Sequence, residues 1–251
     1  MSNEITGKKT IAVWFSCGAA SAVAAKLTVE KYGLTHNILI VNNPVDEEDE
    51  DNKRFLYDIE KWLGVPVLFA KNTKIGTTSA VNVWEKRKYM SGIKGAPCTL
   101  VLKKEARYEF ERNNIIDFHV LGFTVDEKNR HDIFTKFERE NVLPVLIEAG
   151  LTKNDCFNRL VEDGIELPLP YKLGMPNANC YGCVKSQSPT YWNLIRRIKP
   201  DVFKSRAEQS RRLGVRLVKY KGKRIFLDEL PIDAKGGKLK GYECGIFCDT
   251  K

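Results

Sequence analysis

Short apolar runs alternate along the first half of the chain with longer stretches whose apolar residues recur every three or four positions. Ile11-Ala12-Val13-Trp14-Phe15 is the first run; Asn37-Ile38-Leu39-Ile40-Val41, the stretch from Val65 to Phe69 and the stretch from Phe118 to Leu121 follow it. Brief runs bounded by glycine or polar residues predict strands buried on both faces. Helix-like stretches separate them: Ala19 to Leu27, Asp51 to Leu63 with Phe55, Ile59 and Trp62 on one face, and Cys98 to Asn113. Strand and helix in alternation imply βαβ units, and hence an α/β fold built on a doubly wound parallel sheet. Two more helices are expected from Asp126 to Glu140 and from Thr152 to Asp163. The second opens on Thr152 with Asp155 three residues on, and Gly164 closes it. The segment from Lys71 to Pro97 is long for a loop, with a short helix expected around Trp84, and long irregular loops in compact domains usually carry function.

After Gly164 the pattern changes. Pro168, Pro170 and Pro176 lead into a loop holding Cys180 and Cys183, followed by two helices, Tyr191 to Ile198 and Asp201 to Leu213, a basic β-like segment and a glycine-containing tail. This predicts an α/β domain over residues 1–165 and a smaller C-terminal cysteine-rich, basic subregion over residues 166–251 packed on it. No internal repeat is visible.

Composition narrows the class. The 251 residues are 43% hydrophobic and 29% charged, with 18 Gly and 10 Pro; this excludes collagenous, low-complexity and disordered chains. No window approaches 18 uninterrupted apolar residues and the N-terminus is polar, so neither a membrane span nor a signal peptide is expected, and the reading is a cytoplasmic protein that uses no membrane. An odd count of seven cysteines in such a protein points to metal or redox chemistry before a disulfide framework.

Three places could carry chemistry. Ser16-Cys17-Gly18-Ala19-Ala20-Ser21 joins the first strand to the first helix, where backbone N–H groups and the helix dipole favour a phosphate or sulfate; the same small residues also serve close packing. The loop is neither a Walker A sequence nor GxGxxG. Asp46-Glu47-Glu48-Asp49-Glu50-Asp51 follows the second strand, where one carboxylate could meet a ribose hydroxyl or a metal, while most of the run reads as a solvated cap of the next helix. Cys180-Tyr181-Gly182-Cys183 and the pair Cys244 and Cys248, with Cys98, supply enough thiolates for zinc or an iron–sulfur cluster. Cys17 and Cys156 read as small buried hydrophobes, and the three histidines are isolated.

At these residues a resemblance appears. Ser16-x-Gly18-x-x-Ser21, Cys98-Thr99 with Leu102-Lys103, Gly122-Phe123-x-x-Asp126-Glu127-x-x-Arg130, Cys180-x-x-Cys183 and Glu243-Cys244-Gly245-Ile246 occur in that order. Over nearly its whole length the chain resembles the phosphoadenosine phosphosulfate (PAPS) and adenosine phosphosulfate (APS) reductase family, within the adenine nucleotide alpha-hydrolase superfamily. Asn177-Ala178-Asn179-Cys180-Tyr181-Gly182-Cys183-Val184-Lys185 with Tyr191-Trp192-Asn193 is also similar to phage-borne and mobile-element members, which would work in the host cytoplasm.

The resemblance implies a Rossmann-like nucleotide fold with a sulfonucleotide held at Ser16, Cys17, Gly18, Ala19 and Ser21, completed by Gly122 and Glu127. It implies Lys103 and Arg130 as catalytic cations around the anions, and Cys244 as the nucleophile. Cys244 would attack the sulfur, release the adenosine phosphate and be cleared by a thioredoxin- or glutaredoxin-type reductant with loss of sulfite. APS-type members hold a 4Fe-4S cluster on a Cys-Cys pair and a later CxxC. Here Cys98-Thr99 stands in place of the pair, so Cys98, Cys180, Cys183 and Cys248 are the implied ligands, for the cluster or for zinc. Were Cys244 the fourth ligand instead, the nucleophile would be lost. Phe247 replaces the family's histidine, and Ala20 stands where ATP-activating relatives carry Asp.

Charge adds a separate clue. From Lys185 to Arg224 the chain has thirteen Lys or Arg against Asp201 and Glu208, while the whole chain carries +9. With Tyr191, Trp192 and Tyr220 interleaved, this region could grip nucleic acid, grip an acidic carrier protein, or simply assemble the anion pocket. The main reading is therefore a PAPS/APS-reductase-like oxidoreductase of sulfur metabolism. The alternatives are an ATP-dependent, α-phosphate-cleaving nucleotidyl or sulfur-transfer enzyme acting on nucleic acid, and a nucleotide-binding subunit that has lost turnover.

Overall fold

Strand β1, Thr10–Trp14, lies at the centre of a five-stranded parallel sheet, and its side chains show why the run is apolar on both phases. Ile11, Val13 and Phe15 enter one hydrophobic cluster, while Ala12 and Trp14 enter another on the opposite face. The computed structural model describes residues 7–92, 95–237 and 239; Cys244 and Cys248 lie outside them. The other strands are β2 (Asn37–Asn42), β3 (Val67–Phe69), β4 (Phe118–Val120) and β5 (Val142–Leu143), in the order β3-β2-β1-β4-β5. Every pair is parallel, with Val13 registered against Ile40 on one side and Val120 on the other.

Helices cover both faces, as a doubly wound sheet requires. Those named here are α1 (Ala19–Tyr32), α2 (Asp51–Leu63), α3 (Ala80–Arg87), α4 (Glu105–Asn113), α5 (Lys128–Phe137), α6 (Val145–Glu148) and α7 (Lys153–Glu162). The alanines of α1, with Phe55 and Ile59 of α2, Leu146 of α6 and Leu160 of α7, pack on one face. Phe110 of α4 and Phe134 of α5 pack on the other. The small side chains of α1 let it sit close to the sheet, with Ala19, Ala22, Val23, Ala24 and Ala25 fully buried.

Three expected boundaries shift for local reasons. β3 starts at Val67 and not Val65, because Pro66 has no N–H to give and the Val67 N–H is taken by Glu60 Oε1 at 2.7 Å. The helix expected from Cys98 opens as a π-helical turn, Thr99–Lys104, before α4. The helix expected from Asp126 begins as a 3₁₀ turn, Val125–Glu127, closed by a Thr124/Glu127 capping box, and α5 ends at Phe137.

The C-terminal part continues with α8 (Leu169–Lys172), α9 (Pro189–Ile198) and α10 (Pro200–Arg212), then a hairpin of β6 (Val218–Tyr220) and β7 (Lys223–Ile225). Lys221 and Gly222, both at positive φ, form its two-residue turn, the geometry that matches the twist of antiparallel strands. A third hydrophobic cluster joins this part to the first: Val45, Ala80, Val83, Trp84, Val101 and Leu102 pack with Cys180, Cys183, Trp192, Ile195, Phe203 and Leu217.

Candidate functional site

The strand order reverses its direction of progress between β1 and β4, and the crevice beyond the carboxyl ends of strands at such a point is where open α/β sheets bind ligands. A cleft of about 810 Å³, its open mouth included, occupies that position. Trp14, Phe15, Ser16, Gly18, Ala20 and Ser21 line it from β1 and its loop, and Leu121, Gly122 and Phe123 from the end of β4. The loop is stitched by its own hydroxyls: Ser16 N–H donates to Ser21 Oγ (3.2 Å), and Ser21 Oγ donates to the Gly18 carbonyl (2.9 Å). The first N–H groups of α1 have no carbonyl within the helix; that of Ala19 donates to the Tyr171 hydroxyl at 3.2 Å, above the loop. Gly122 lets β4 approach α1, since a Cβ there would sit 2.7 Å from the Ser21 nitrogen.

Cations reach the cleft from three separate segments: Lys103 from the π-helical turn, Arg130 from α5 and Lys153 from the first turn of α7. Arg130 is oriented by Glu127, which accepts from Nη1 at 2.6 Å, and its guanidinium lies over the Phe123 ring. Glu127 thus serves the cleft through Arg130 and the Thr124 cap; it is not among the lining residues. Lys153 donates to the Pro176 carbonyl (2.7 Å) and to Asn177 Oδ1, which ties the Asn177-Ala178-Asn179 wall to α7. Trp14 is backed by His119, whose Nδ1 accepts from the indole at 3.1 Å, while Arg139 stands 2.7 Å from Nε2. Burial first, then Arg139 and Arg107, hold the His119 pKa down at about 3. The ring is therefore neutral and has one acceptor nitrogen for two donors.

Cys17 is in the loop but not in the cleft. It holds a left-handed φ of 55° and turns its sulfur inward, 3.6 Å from Asn42 Nδ2. Burial, with Glu48 adding to it, pushes its pKa well up, and burial raises Cys156 to about 12. Both thiols are packing groups.

On the far side of Lys103 lies a second cavity. Cys98, Cys180 and Cys183 line it together with Val45, Ala80, Trp84, Leu102 and Val184, and Lys103 and Lys185 border it. The loop carrying Cys180 and Cys183 is pinned by α9. The Tyr191 hydroxyl accepts from the Cys183 N–H (2.7 Å) and faces the Cys180 carbonyl (3.4 Å), and Trp192 Nε1 donates to the Ser186 carbonyl (2.8 Å). Arg206 is buried beneath it, its guanidinium over Trp84, and Cys180 and Cys183 act on it electrostatically. Sulfur donors in an apolar cavity ringed by cations are the donor chemistry that a thiolate-bound cluster or zinc uses. Among the described residues, however, no group of three or more His, Cys, Asp or Glu is disposed to hold a metal ion. Cys244 and Cys248 fall outside those residues.

Only part of the acidic run is a solvated cap: Asp46 and Glu50 are exposed ahead of α2, while the other four acids turn to partners. Glu47 accepts from Ser79 Oγ and from the N–H groups of Ala80 and Val81 at the start of α3. Glu48 sits 3.5 Å from Lys103, both nearly buried. Asp49, also buried, accepts from the Asp51 N–H and pairs with Lys199. Asp51 grips Arg54 and the Leu169 N–H, and the Arg54 guanidinium holds its carboxyl below the usual range. These carboxylates fasten the long loop and the C-terminal part to β2, a job set by partners that are distant in sequence.

The basic region is also redistributed. Tyr191 and Trp192 are buried in the core and cannot stack on a base. Arg211 pairs with Asp228 and Glu229, and Arg212 with Glu85, so acids outside the segment neutralise part of it. Of the cleft residues, Lys153, Tyr171 and Asn177 were not expected; Lys153 sits in the predicted capping-box helix, and nothing in the spacing announces which face it serves.

No model of a known protein family matches the chain, and no curated protein matches it. Among solved structures the chain is similar to the U34-tRNA thiolase NcsA from Methanococcus maripaludis with its 4Fe-4S cluster, at 14% identity and a TM-score of 0.46, over 82% of this chain and 72% of that one. No helix among the described residues is long and apolar enough to cross a membrane.

Proposed function

We propose that the chain is an adenine-nucleotide-using sulfur-transfer enzyme of the adenine nucleotide alpha-hydrolase type. The nucleotide phosphates would lie on the Ser16 to Ser21 loop, and the sulfur chemistry would run at the cysteine cavity. The observation that carries this reading is Lys103, which lines both the switch-point cleft and the cysteine cavity. A phosphate or sulfate seated on the loop meets the free end of α1 and the cations Lys103, Arg130 and Lys153, a setting that stabilises charge developing on a leaving phosphate. With ATP, an acceptor oxygen attacks the α-phosphorus, the α–β bridge breaks and pyrophosphate leaves with the electron pair. A sulfur nucleophile then displaces AMP from the activated acceptor carbon. A metal centre held in part by Cys98, Cys180 and Cys183, which line that cavity, would when bound position or carry sulfur. No step above depends on it.

Sulfonucleotide reduction is the second reading, and Ala20 supports it, since it leaves the loop without the acid of ATP-activating relatives. Its nucleophile, Cys244, lies outside the described residues. Titration of the anaerobically purified protein with ATP, PAPS and APS, followed by product analysis, separates the two. Transfer predicts ATP binding and release of pyrophosphate and AMP. Reduction predicts sulfite from PAPS or APS and a sulfonate adduct on Cys244. A Gly18→Leu substitution, whose side chain would grow toward Tyr171 and Ser16 inside the cleft, should abolish binding in either case with little change in melting temperature. Unchanged affinity would remove the loop from the site.

A further inference from the structure

The hairpin holds the densest run of exposed charge in the basic region. Arg216, Lys219, Lys221, Lys223 and Arg224 lie within nine residues that contain no acid. All five are exposed, and none is in an ion pair with a described residue. Cross-strand pairing puts Lys219 and Arg224 on one face of the hairpin and Lys223, opposite Tyr220, on the other, so β6, the turn and β7 present a cluster of cations and not a point charge. No large exposed apolar side chain lies on the hairpin, so nothing here would anchor it in a lipid surface.

The hairpin is also fixed beside the cysteine cavity. The Lys219 N–H donates to the Gln187 carbonyl at 2.9 Å, four residues after Cys183. Leu217 and Val218 pack in the same cluster as Cys180, Cys183 and Val184. A polyanion held on the hairpin is therefore held on the same packing unit as the loop that carries Cys180 and Cys183. Cys180 and Cys183 are each only 9% exposed, so a base must be turned out of any stack to reach them, which single-stranded loops of folded RNA allow most readily.

We infer that the β6–β7 hairpin docks the phosphodiester backbone of a single-stranded RNA loop and so delivers the acceptor base to the cysteine cavity. As an account of the acceptor, this rests on the transfer reading above; as a binding surface it stands on the hairpin alone. The test uses the full chain and a fluorescein-labelled RNA stem-loop, titrated over a range of salt concentrations. One variant combines Lys219→Ser, Lys221→Asn, Lys223→Ser and Arg224→Ser, with Asn chosen because it tolerates the left-handed turn position. The expected result is a loss of roughly tenfold or more in affinity, with a salt slope shallower by about 3, since each lost single-strand phosphate contact removes about 0.7.

A charge-keeping variant, Lys219→Arg with Lys223→Arg and Arg224→Lys, should bind as the wild type does, and both variants should keep wild-type melting temperature and nucleotide affinity. Equal RNA affinity in the neutralised variant would overturn the proposal. So would hairpin-dependent binding of duplex DNA or of phosphatidylserine vesicles at equal or higher affinity than the RNA. If RNA binding needs the hairpin but no nucleotide binds the cleft, the docking surface stands and the enzymatic reading falls; the reverse pattern sinks the docking surface alone.

Discussion

The switch-point cleft and the cysteine cavity meet at Lys103 and are built in opposite ways. The cleft is open and lined by polar and apolar groups alike, assembled from backbone N–H groups, two serines and side chains delivered by β1, the π-helical turn, α5, α7 and the Asn177 loop. The cavity is walled by apolar side chains and held by a few hydrogen bonds from α9 to one short loop. A cleft built from many segments tolerates loss of a single contact while each piece is independently anchored. A loop pinned by a few buried hydrogen bonds does so less well. The difference teaches that the first site is a property of the sheet, and the second a property of the C-terminal packing.

The strongest way to break this comparison is at the shared residue. Lys103→Met removes a cation from both cavities and takes from the nearly buried Glu48 carboxylate the charge it pairs with, leaving it the Asn52 amide. Breaking a buried pair from one side costs about 3–5 kcal/mol, so denaturant unfolding should show a large loss of stability, together with loss of nucleotide affinity. Adding Glu48→Gln should restore most of the stability and none of the affinity. Recovery of both would mean that Lys103 acts on the nucleotide only through folding.

A smaller change sharpens the independence of the cavity. Tyr191→Phe leaves the Cys183 N–H and the Cys180 carbonyl without their shared hydroxyl partner in a buried setting, worth about 1–3 kcal/mol. Alkylation of Cys180 and Cys183 by iodoacetamide should accelerate, while nucleotide affinity stays as in the wild type. A parallel loss of nucleotide binding would show that the two sites are coupled through more than Lys103.

The effect that appears only in acid is a pH dependence beneath the cleft. His119 has a folded pKa of about 3 against about 6.5 unfolded, so between these values the unfolded chain binds the extra proton. Its contribution to stability is fully present above pH 6.5 and is lost as pH falls toward 3. A His119→Gln variant should show a flatter stability profile across that window in urea titrations; an unchanged slope would assign the acid sensitivity to other groups.

Much of the fold was legible because burial on both faces leaves a mark that survives in one dimension. Apolar runs such as Ile38 to Val41 are long enough only for strands, and the Thr152/Asp155 box and Gly164 do mark the ends of α7. The loop from Ser16 to Ser21, with Gly122, Lys103 and Arg130, could be named because each falls next to a recognisable strand end or motif. Lys153, Tyr171 and the inward task of Glu47 and Glu48 could not, since their partners are 23 to 152 residues away and no spacing rule links them.

The sequence by itself determined the parallel α/β architecture, the position of a small-residue loop at the end of β1, and the existence of a strongly basic C-terminal stretch. Those follow from periodicity, small residues and charge, which act over a few neighbouring positions. Only the tertiary structure decided that Cys98 joins Cys180 and Cys183 at one cavity, that Lys103 stands between it and the cleft, and that acids from distant segments pair with Arg211 and Arg212 but not with the hairpin. Electrostatics and packing act through space across chain separations that the sequence does not order, so which charges cancel and which thiols meet is settled by the fold.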